Sequence, residues 1–168
     1  MQPESALTID SPVGRLRLVA STGGALIRIE FAPDPMPSKR PASPPVLAQA
    51  ADQLNAYFAG TLHQFDLPLA TQGTPFQVAV WNAVAAVPYG ETAAYGEIAR
   101  RLGKSPGSSR AVGAANGQNP IPIIVPCHRI VGGNGDLTGY AGGLPNKEIL
   151  LALERRNRPG PGQSLFGD

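Results

Sequence analysis

A chain of 168 residues, 42% apolar and 15% charged, has enough apolar material for one ordinary domain or two small ones, and too little charge for a disordered polyelectrolyte. Its 20 glycines and 18 prolines argue against a helical bundle or coiled coil and for many loops and tight turns. No run approaches the ~20 apolar residues of a membrane span, residues 1–10 lack the basic and apolar regions of a signal peptide, and the net charge is only +2; a soluble cytoplasmic protein is expected.

Residues 5–31 read as a three-stranded antiparallel meander, with a turn at Ser11-Pro12-Val13-Gly14 and Leu16 and Leu18 alternating with Arg15 and Arg17. Residues 32–45 hold six prolines and no apolar period, and predict an irregular surface connection. Leu47, Ala50, Ala51, Leu54, Tyr57 and Phe58 then fall at helical spacing up to Gly60. An extended segment leads to a strong helix signal, with Thr74 as cap, Pro75 in the first turn, and Phe76, Val80, Trp81 and Val84 on one stripe. Two short helices follow, AAYGEIARRLGK and SPGSSRAVGAANG, in the helix-turn-helix pattern, though two short helices packed on a core would read the same way. Between residues 94 and 135, Arg100, Arg101, Lys104, Arg110 and Arg129 face Glu97 alone, a modest hint of a nucleic-acid partner. From Asn119 prolines and glycines rule out regular helix, and a tight loop with a short strand over 128–131 is expected. A last helix, PNKEILLALERR, places Ile149, Leu150 and Leu153 on one face, and residues 158–168 read as a loose tail.

Cys127 is the single cysteine, so no disulfide within the chain and no cysteine-based zinc cluster can form; the two histidines, His63 and His128, are too few for a histidine-rich metal site. No metal and no cofactor are expected. Prolines 120, 122 and 126 fix the path into PCHR, and His128 and Arg129 follow the sulfur directly, so positive neighbours are expected to favour the thiolate. Adjacent side chains diverge, so His128 reaches Cys127 only through a water or a sharp turn. Glu154 is the best carboxylate to orient the far imidazole nitrogen, but its spacing equally suits an exposed pair with Arg158. Such a cysteine could serve a papain-like hydrolase paired with His63, or take an alkyl group as a thioether that water does not cleave, spending the molecule in one event.

The run from Phe65 to Glu154 resembles the DNA-repair methyltransferases that act on O6-alkylguanine. The matching segments are FDLPL (65–69), GTPFQ…VW (73–81), PYGET (88–92), YGEIA (95–99), RAVG (110–113), NP (119–120), IVPCHRI (124–130), GYAGG (139–143) and KEILL…E (147–154). The resemblance implies an α/β (α+β) chain: a small ribonuclease-H-like domain over 1–72 containing the 32–45 loop, a winged-helix-like, alkyl-accepting domain with a helix-turn-helix over 73–157, and a tail over 158–168. It implies irreversible transfer of methyl or larger groups from O6 of guanine, and from O4 of thymine, to Cys127 after the base is flipped out of double-stranded DNA. His128, through a water, and Glu154 would make the thiolate, Tyr95 would give a proton or hydrogen bond to the leaving guanine, and Asn119 would brace the cysteine turn. Arg110 would fill the gap left by the flipped nucleotide, with Ala111 and Gly113 allowing close approach to a narrow groove. Tyr140 and Ala141 would wall the pocket, Lys147 would lie near Cys127 and Tyr95, and Arg129 would join the DNA-facing set.

Two departures stand out. Many relatives carry a serine after the pocket tyrosine where this chain has Ala141, and no cysteine-rich adaptor precedes the core, so a transcription-regulating architecture is not expected. Gln163-Ser164-Leu165-Phe166 is somewhat similar to short peptides that bind the sliding clamp, with Gln163, Leu165 and Phe166 as the anchors. The protein is expected to act as a monomer.

Overall fold

Alternation with a period of two over residues 5–31 closes into an antiparallel sheet in which β1 (Ser5–Ile9) pairs with β2 (Leu16–Ala20) and β2 with β3 (Leu26–Phe31). The computed structural model describes residues 4–31, 44–135, 137 and 139–159. The first hairpin turns where the sequence reading put it, the Gly14 amide donating to the Ser11 carbonyl at 3.0 Å with Gly14 at φ +90°. Leu16, Leu18, Leu26 and Ile29 are buried against Leu47, Leu54 and Tyr57, which belong to the inner stripe of α1 (Pro45–Phe58). A bulge between Val19 and Ala20 breaks the alternation there, so both are buried. Residues 68–70 add a short parallel pairing to β3, with the Leu26 amide on the Pro68 carbonyl at 2.8 Å and the Ala70 amide on the Leu26 carbonyl at 3.0 Å. The chain up to Thr71 belongs to one compact unit.

The second unit, Gln72–Arg158, is built on helices. In α2 (Pro75–Ala85), Thr74 accepts from the Gln77 amide at 3.1 Å while Gln77 accepts from the Thr74 amide at 2.9 Å, a reciprocal cap that fixes where the helix starts. Val80, Trp81 and Val84 are buried, and the Trp81 indole donates to the Ala115 carbonyl at 2.8 Å, tying α2 to α4 (Ser109–Gly117). Strand β4 (Ala93–Ala94) runs into α3 (Tyr95–Arg101), and a single 3-10 turn over Pro106–Ser108 precedes α4, giving the helix-turn-helix succession. A second 3-10 turn, Cys127–Arg129, leads into β5 (Ile130–Val131), which pairs in parallel with β4, Ala93 opposite Ile130. The helix α5 (Leu144–Arg156) closes the unit. Arg158, expected to open the tail, instead lays its side chain against Gly90: a Cβ on that glycine would come within 2.9 Å of the Arg158 Cγ.

Two elements differ from expectation. The strand expected from His128 begins at Ile130, because residues 127–129 tighten into the 3-10 turn. On α5 the buried stripe is Lys147, Leu150, Leu151, Leu153 and Glu154, while Ile149 is 39% exposed. Glu154 lies on the inner stripe, one turn beyond Leu150, as its spacing suggests, and Lys147 joins it there. The clamp-like residues Gln163, Leu165 and Phe166 lie outside the described residues. No helix among the described residues is long and apolar enough to cross a membrane.

Candidate active site

Proline chemistry sets the cysteine. Pro126 sits at φ −81° and ψ 64°, the centre of an inverse γ-turn in which the Cys127 amide donates to the Val125 carbonyl at 2.8 Å. The chain then tightens, with the Arg129 amide on the Pro126 carbonyl at 2.9 Å and the Ile130 amide on the Cys127 carbonyl. Upstream, Ile123 is held at φ +74°, a conformation that a β-branched residue adopts only when its surroundings enforce it; here the side chain is fully enclosed. Asn119 enforces the same path: its amide donates to the Val125 carbonyl at 2.8 Å and its oxygen accepts from the Ile121 amide at 3.0 Å. Asn116, which the sequence reading did not single out, donates to the Cys127 carbonyl at 3.3 Å from the last turns of α4. The helix beside the turn therefore holds the reactive residue by its backbone.

On the other side α5 presents Glu154 and Lys147, two turns apart on one face. Glu154 Oε2 lies 2.7 Å from His128 Nε2, with the two side chains 1% and 0% exposed. Of the two roles that spacing left open for Glu154, the described contacts show the one that faces the 3-10 turn. Arg129 bonds the same carboxylate, Nε to Oε1 at 2.8 Å and Nη2 to Oε2 at 3.0 Å, and its Nη1 donates to the Val87 carbonyl at 2.7 Å. The Gly90 amide adds a contact to Oε1 at 3.3 Å. Lys147 Nζ donates to the Ile130 carbonyl at 2.7 Å. His128 Nδ1, buried, has no hydrogen-bond partner among the described residues.

Electrostatics separate the members. Burial works against a charged Glu154, but the hydrogen bonds and charges of His128 and Arg129 outweigh it and hold the carboxyl well below the usual range. Burial lowers His128 below its ordinary value despite the carboxylate beside it, so the imidazole rests neutral. Burial pushes the Cys127 thiol up to about 11, against the opposing pull of the Asn119 hydrogen bond and the Lys147 charge. This corrects the expectation of a thiolate favoured by its chain neighbours. Cys127 is only 4% exposed, so desolvation is large, and the Arg129 charge is spent on Glu154 rather than on the sulfur. The resting sulfur is a thiol that needs a base. Arg129 is corrected too: it is buried and bound to α5 and to the turn after α2, not turned outward toward a partner.

The remaining expected residues sit on α3, on α4 and on the loop before α5. Tyr140 turns its hydroxyl inward near Cys127 and Glu154, whose charges, after burial, push that phenol well above its usual range. Ala141 is exposed on the loop beyond it. Arg110 and Ala111 are exposed on the first turns of α4. Tyr95 lines a cleft of about 360 Å³ with Gly96, Arg100, Ser109 and Gly133. Its ring lies over Gly113, where a Cβ would come within 3.6 Å of the ring edge. His63 belongs to the first unit, whereas His128, next to Cys127 in the chain, belongs to the second. Among the described residues no three His, Cys, Asp or Glu side chains are grouped as metal ligands.

Comparison with known proteins gives this arrangement a setting. Residues 75–156 match the family model described as 6-O-methylguanine DNA methyltransferase, DNA binding domain, and residues 7–71 match that of its ribonuclease-like domain. A methylated-DNA–protein-cysteine methyltransferase of Mycolicibacterium paratuberculosis is 50% identical over 155 residues, 90% of this chain and 93% of that one. One from Methanosarcina acetivorans is 62% identical over 106 residues, 63% of this chain and 67% of its own. The crystal structure of the O6-methylguanine methyltransferase of Mycobacterium tuberculosis superposes with a TM-score of 0.82 at 46% identity, covering 94% of this chain and 96% of that one. A crystal structure of the Mycobacterium tuberculosis protein in complex with DNA superposes at 0.80 with 50% identity, covering 91% and 94%.

Proposed function

This chain belongs to the 6-O-methylguanine DNA methyltransferase family, and we propose from that premise how its buried row of side chains carries out the repair. The reaction is direct reversal of DNA damage: an alkyl group leaves O6 of guanine and is fixed as a thioether on the protein, one group per molecule. O4-alkylthymine is taken as a second substrate of the same chemistry.

In this reading Cys127 is the acceptor. Its thiol proton passes to Nδ1 of neutral His128 through one bridging water, because neighbouring side chains of a 3-10 turn diverge. Glu154 stabilises the imidazolium that forms. The sulfur–carbon bond forms as the carbon–O6 bond breaks, and the electron pair leaves on guanine. The leaving ring takes a proton from Tyr95, and the proton held by His128 restores the phenol by way of solvent. Asn119 and Asn116 keep the sulfur in line with carbon and oxygen by gripping the turn's backbone. Lys147 offsets charge on the sulfur while the proton is away.

The target base must leave the stack before its alkyl carbon can meet a sulfur this enclosed, at a cost of a few kcal/mol. Arg110 fills the space it vacates, Ala111 and Gly113 let α4 enter a narrow groove, and Tyr140 with Ala141 borders the flipped base. Double-stranded DNA is the partner. The protein acts as a monomer in the cytoplasm and meets a sliding clamp through Gln163, Leu165 and Phe166.

The observation that carries the proposal is the His128–Glu154 contact at 2.7 Å on Nε2, which leaves Nδ1 as the ring nitrogen able to take a proton from Cys127. Intact-protein mass after incubation with a duplex containing O6-methylguanine tests it. One methyl group per chain is expected on wild type and none on Cys127→Ser; continuing turnover without a lasting adduct would refute it. Arg110→Ala should slow repair of the duplex more than reaction with the free base, and equal losses on both would remove Arg110 from its role.

A further inference from the structure

Arg129 follows the catalytic histidine in the chain, yet its side chain neither reaches outward nor faces the sulfur. Its guanidinium lies against both oxygens of Glu154, at 2.8 Å and 3.0 Å, with the third nitrogen anchored 2.7 Å from the Val87 carbonyl. Its Cζ lies 5.6 Å from the centre of the Tyr89 ring. Two walls from the turn after α2 thus fix a planar cation in one orientation on a carboxylate that α5 supplies.

The carboxylate's acceptor sites can then be counted. Oε1 receives Arg129 Nε and the Gly90 amide, and Oε2 receives Arg129 Nη2 and His128 Nε2. An ionised carboxylate offers about four such sites. Arginine and the backbone amide can only donate, so a proton on either oxygen would meet a donor instead of an acceptor. Glu154 is therefore satisfied only as an anion, and His128 Nε2 must be the protonated nitrogen. A neutral imidazole with its proton there has its lone pair on Nδ1.

We propose that Arg129 is a positioning residue for the proton relay: anchored by Val87 and Tyr89, it keeps Glu154 charged and aimed at Nε2, and so fixes the imidazole in the one tautomer that can take the Cys127 proton. The inference rests on the reading of Cys127 as alkyl acceptor. The other groups around the carboxylate are Tyr89 and Gly90 from the turn after α2, Lys147 on α5, whose charge also reaches His128, and Glu91, Arg155 and Arg158 around the cleft outside it, with Arg156 acting on Tyr89. Among the described contacts the fork onto both carboxylate oxygens is the Arg129 guanidinium's.

The test follows thioether formation on Cys127 from an O6-methylguanine duplex across pH, with duplex affinity measured separately. For Arg129→Met we expect transfer about 100-fold slower at neutral pH, within the range a general base contributes. The buried carboxylate then takes up a proton, the imidazole proton moves to Nδ1, and activity climbs with pH where wild type is level. Arg129→Lys, which returns the charge without the fork, should fall between the two in both rate and pH profile. In a Glu154→Gln background, Arg129→Met should cost nothing further. A folded Arg129→Met slowed by the same factor at every pH, or a double variant slower than Glu154→Gln alone, would overturn the proposal. Should Arg129→Met fail to fold, an Arg129→Lys variant with the wild-type pH profile overturns it equally. Absence of a methyl adduct on wild type would instead strike the reading of Cys127 itself.

Discussion

Among the described residues arginine and glutamate meet in two places, and the two meetings do different work. On the outer face of the sheet Arg17 pairs with Glu30, and Arg28 bridges Glu30 at 3.0 Å and Glu4 at 2.7 Å, all four side chains between a quarter and a half exposed. In the second unit Arg129 and Glu154 make the same chemical pair with both side chains under a tenth exposed. Water can take over either charge on the sheet, so those pairs are nearly interchangeable with solvent. Around Glu154 burial keeps water from taking over a lost charge, so removing one member leaves the other charged inside the unit. Burial turns an ordinary ion pair into a positioning device.

Breaking the buried pair should have the largest effect. Glu154→Leu leaves the Arg129 charge uncompensated inside the unit, and we expect a loss of about 3–5 kcal/mol in chemical denaturation. The companion double variant, Arg129→Met with Glu154→Leu, should recover much of that stability without recovering alkyl transfer. Recovery of both would mean the pair serves the fold alone. Acid gives the same contrast by another route. Glu154 is depressed below its ordinary value of 4.5 on folding, so the stability it supplies is complete above that value and is lost as pH falls toward the folded one. The difference in denaturation midpoint between wild type and Glu154→Gln should accordingly shrink below that pH. Glu30→Gln on the sheet should be the smallest change, less than about 1 kcal/mol and smaller still in high salt.

What could be read from the chain divides along similar lines. The Thr74 cap, the turn at Ser11–Gly14 and the inner stripe of α1 are local chemistry, settled by residues within a few positions of one another, and all were legible, while the Gln77 half of the cap was not singled out. The catalytic row was legible only in part. Cys127 and His128 stand out as neighbours, whereas Glu154 had two equally good partners on spacing alone. Arg129 was misread because adjacency in sequence says nothing about where a 3-10 turn sends the third side chain. Val87, Gly90 and Asn116 were missed for a plainer reason. Two of them act through the backbone, which every residue has, and Asn116 looks like any polar residue near a helix end. A charged residue falling on the apolar stripe of the last helix, as Glu154 and Lys147 do at a spacing of seven, was the available signal for an inward-facing site. The ionisation of the sulfur was beyond sequence altogether, since it depends on how completely the turn is enclosed.

Glu154→Gln keeps the shape of the buried carboxylate and removes its charge, which makes it the sharpest probe of whether this row activates the cysteine. The measurement is the single-turnover rate of thioether formation on Cys127 with saturating O6-methylguanine duplex, alongside the affinity for that duplex. We expect the rate to fall by about 100-fold or more while affinity holds. A folded Glu154→Gln protein that alkylates Cys127 at the wild-type rate would contradict the relay and leave the sulfur's activation to groups other than His128 and Glu154.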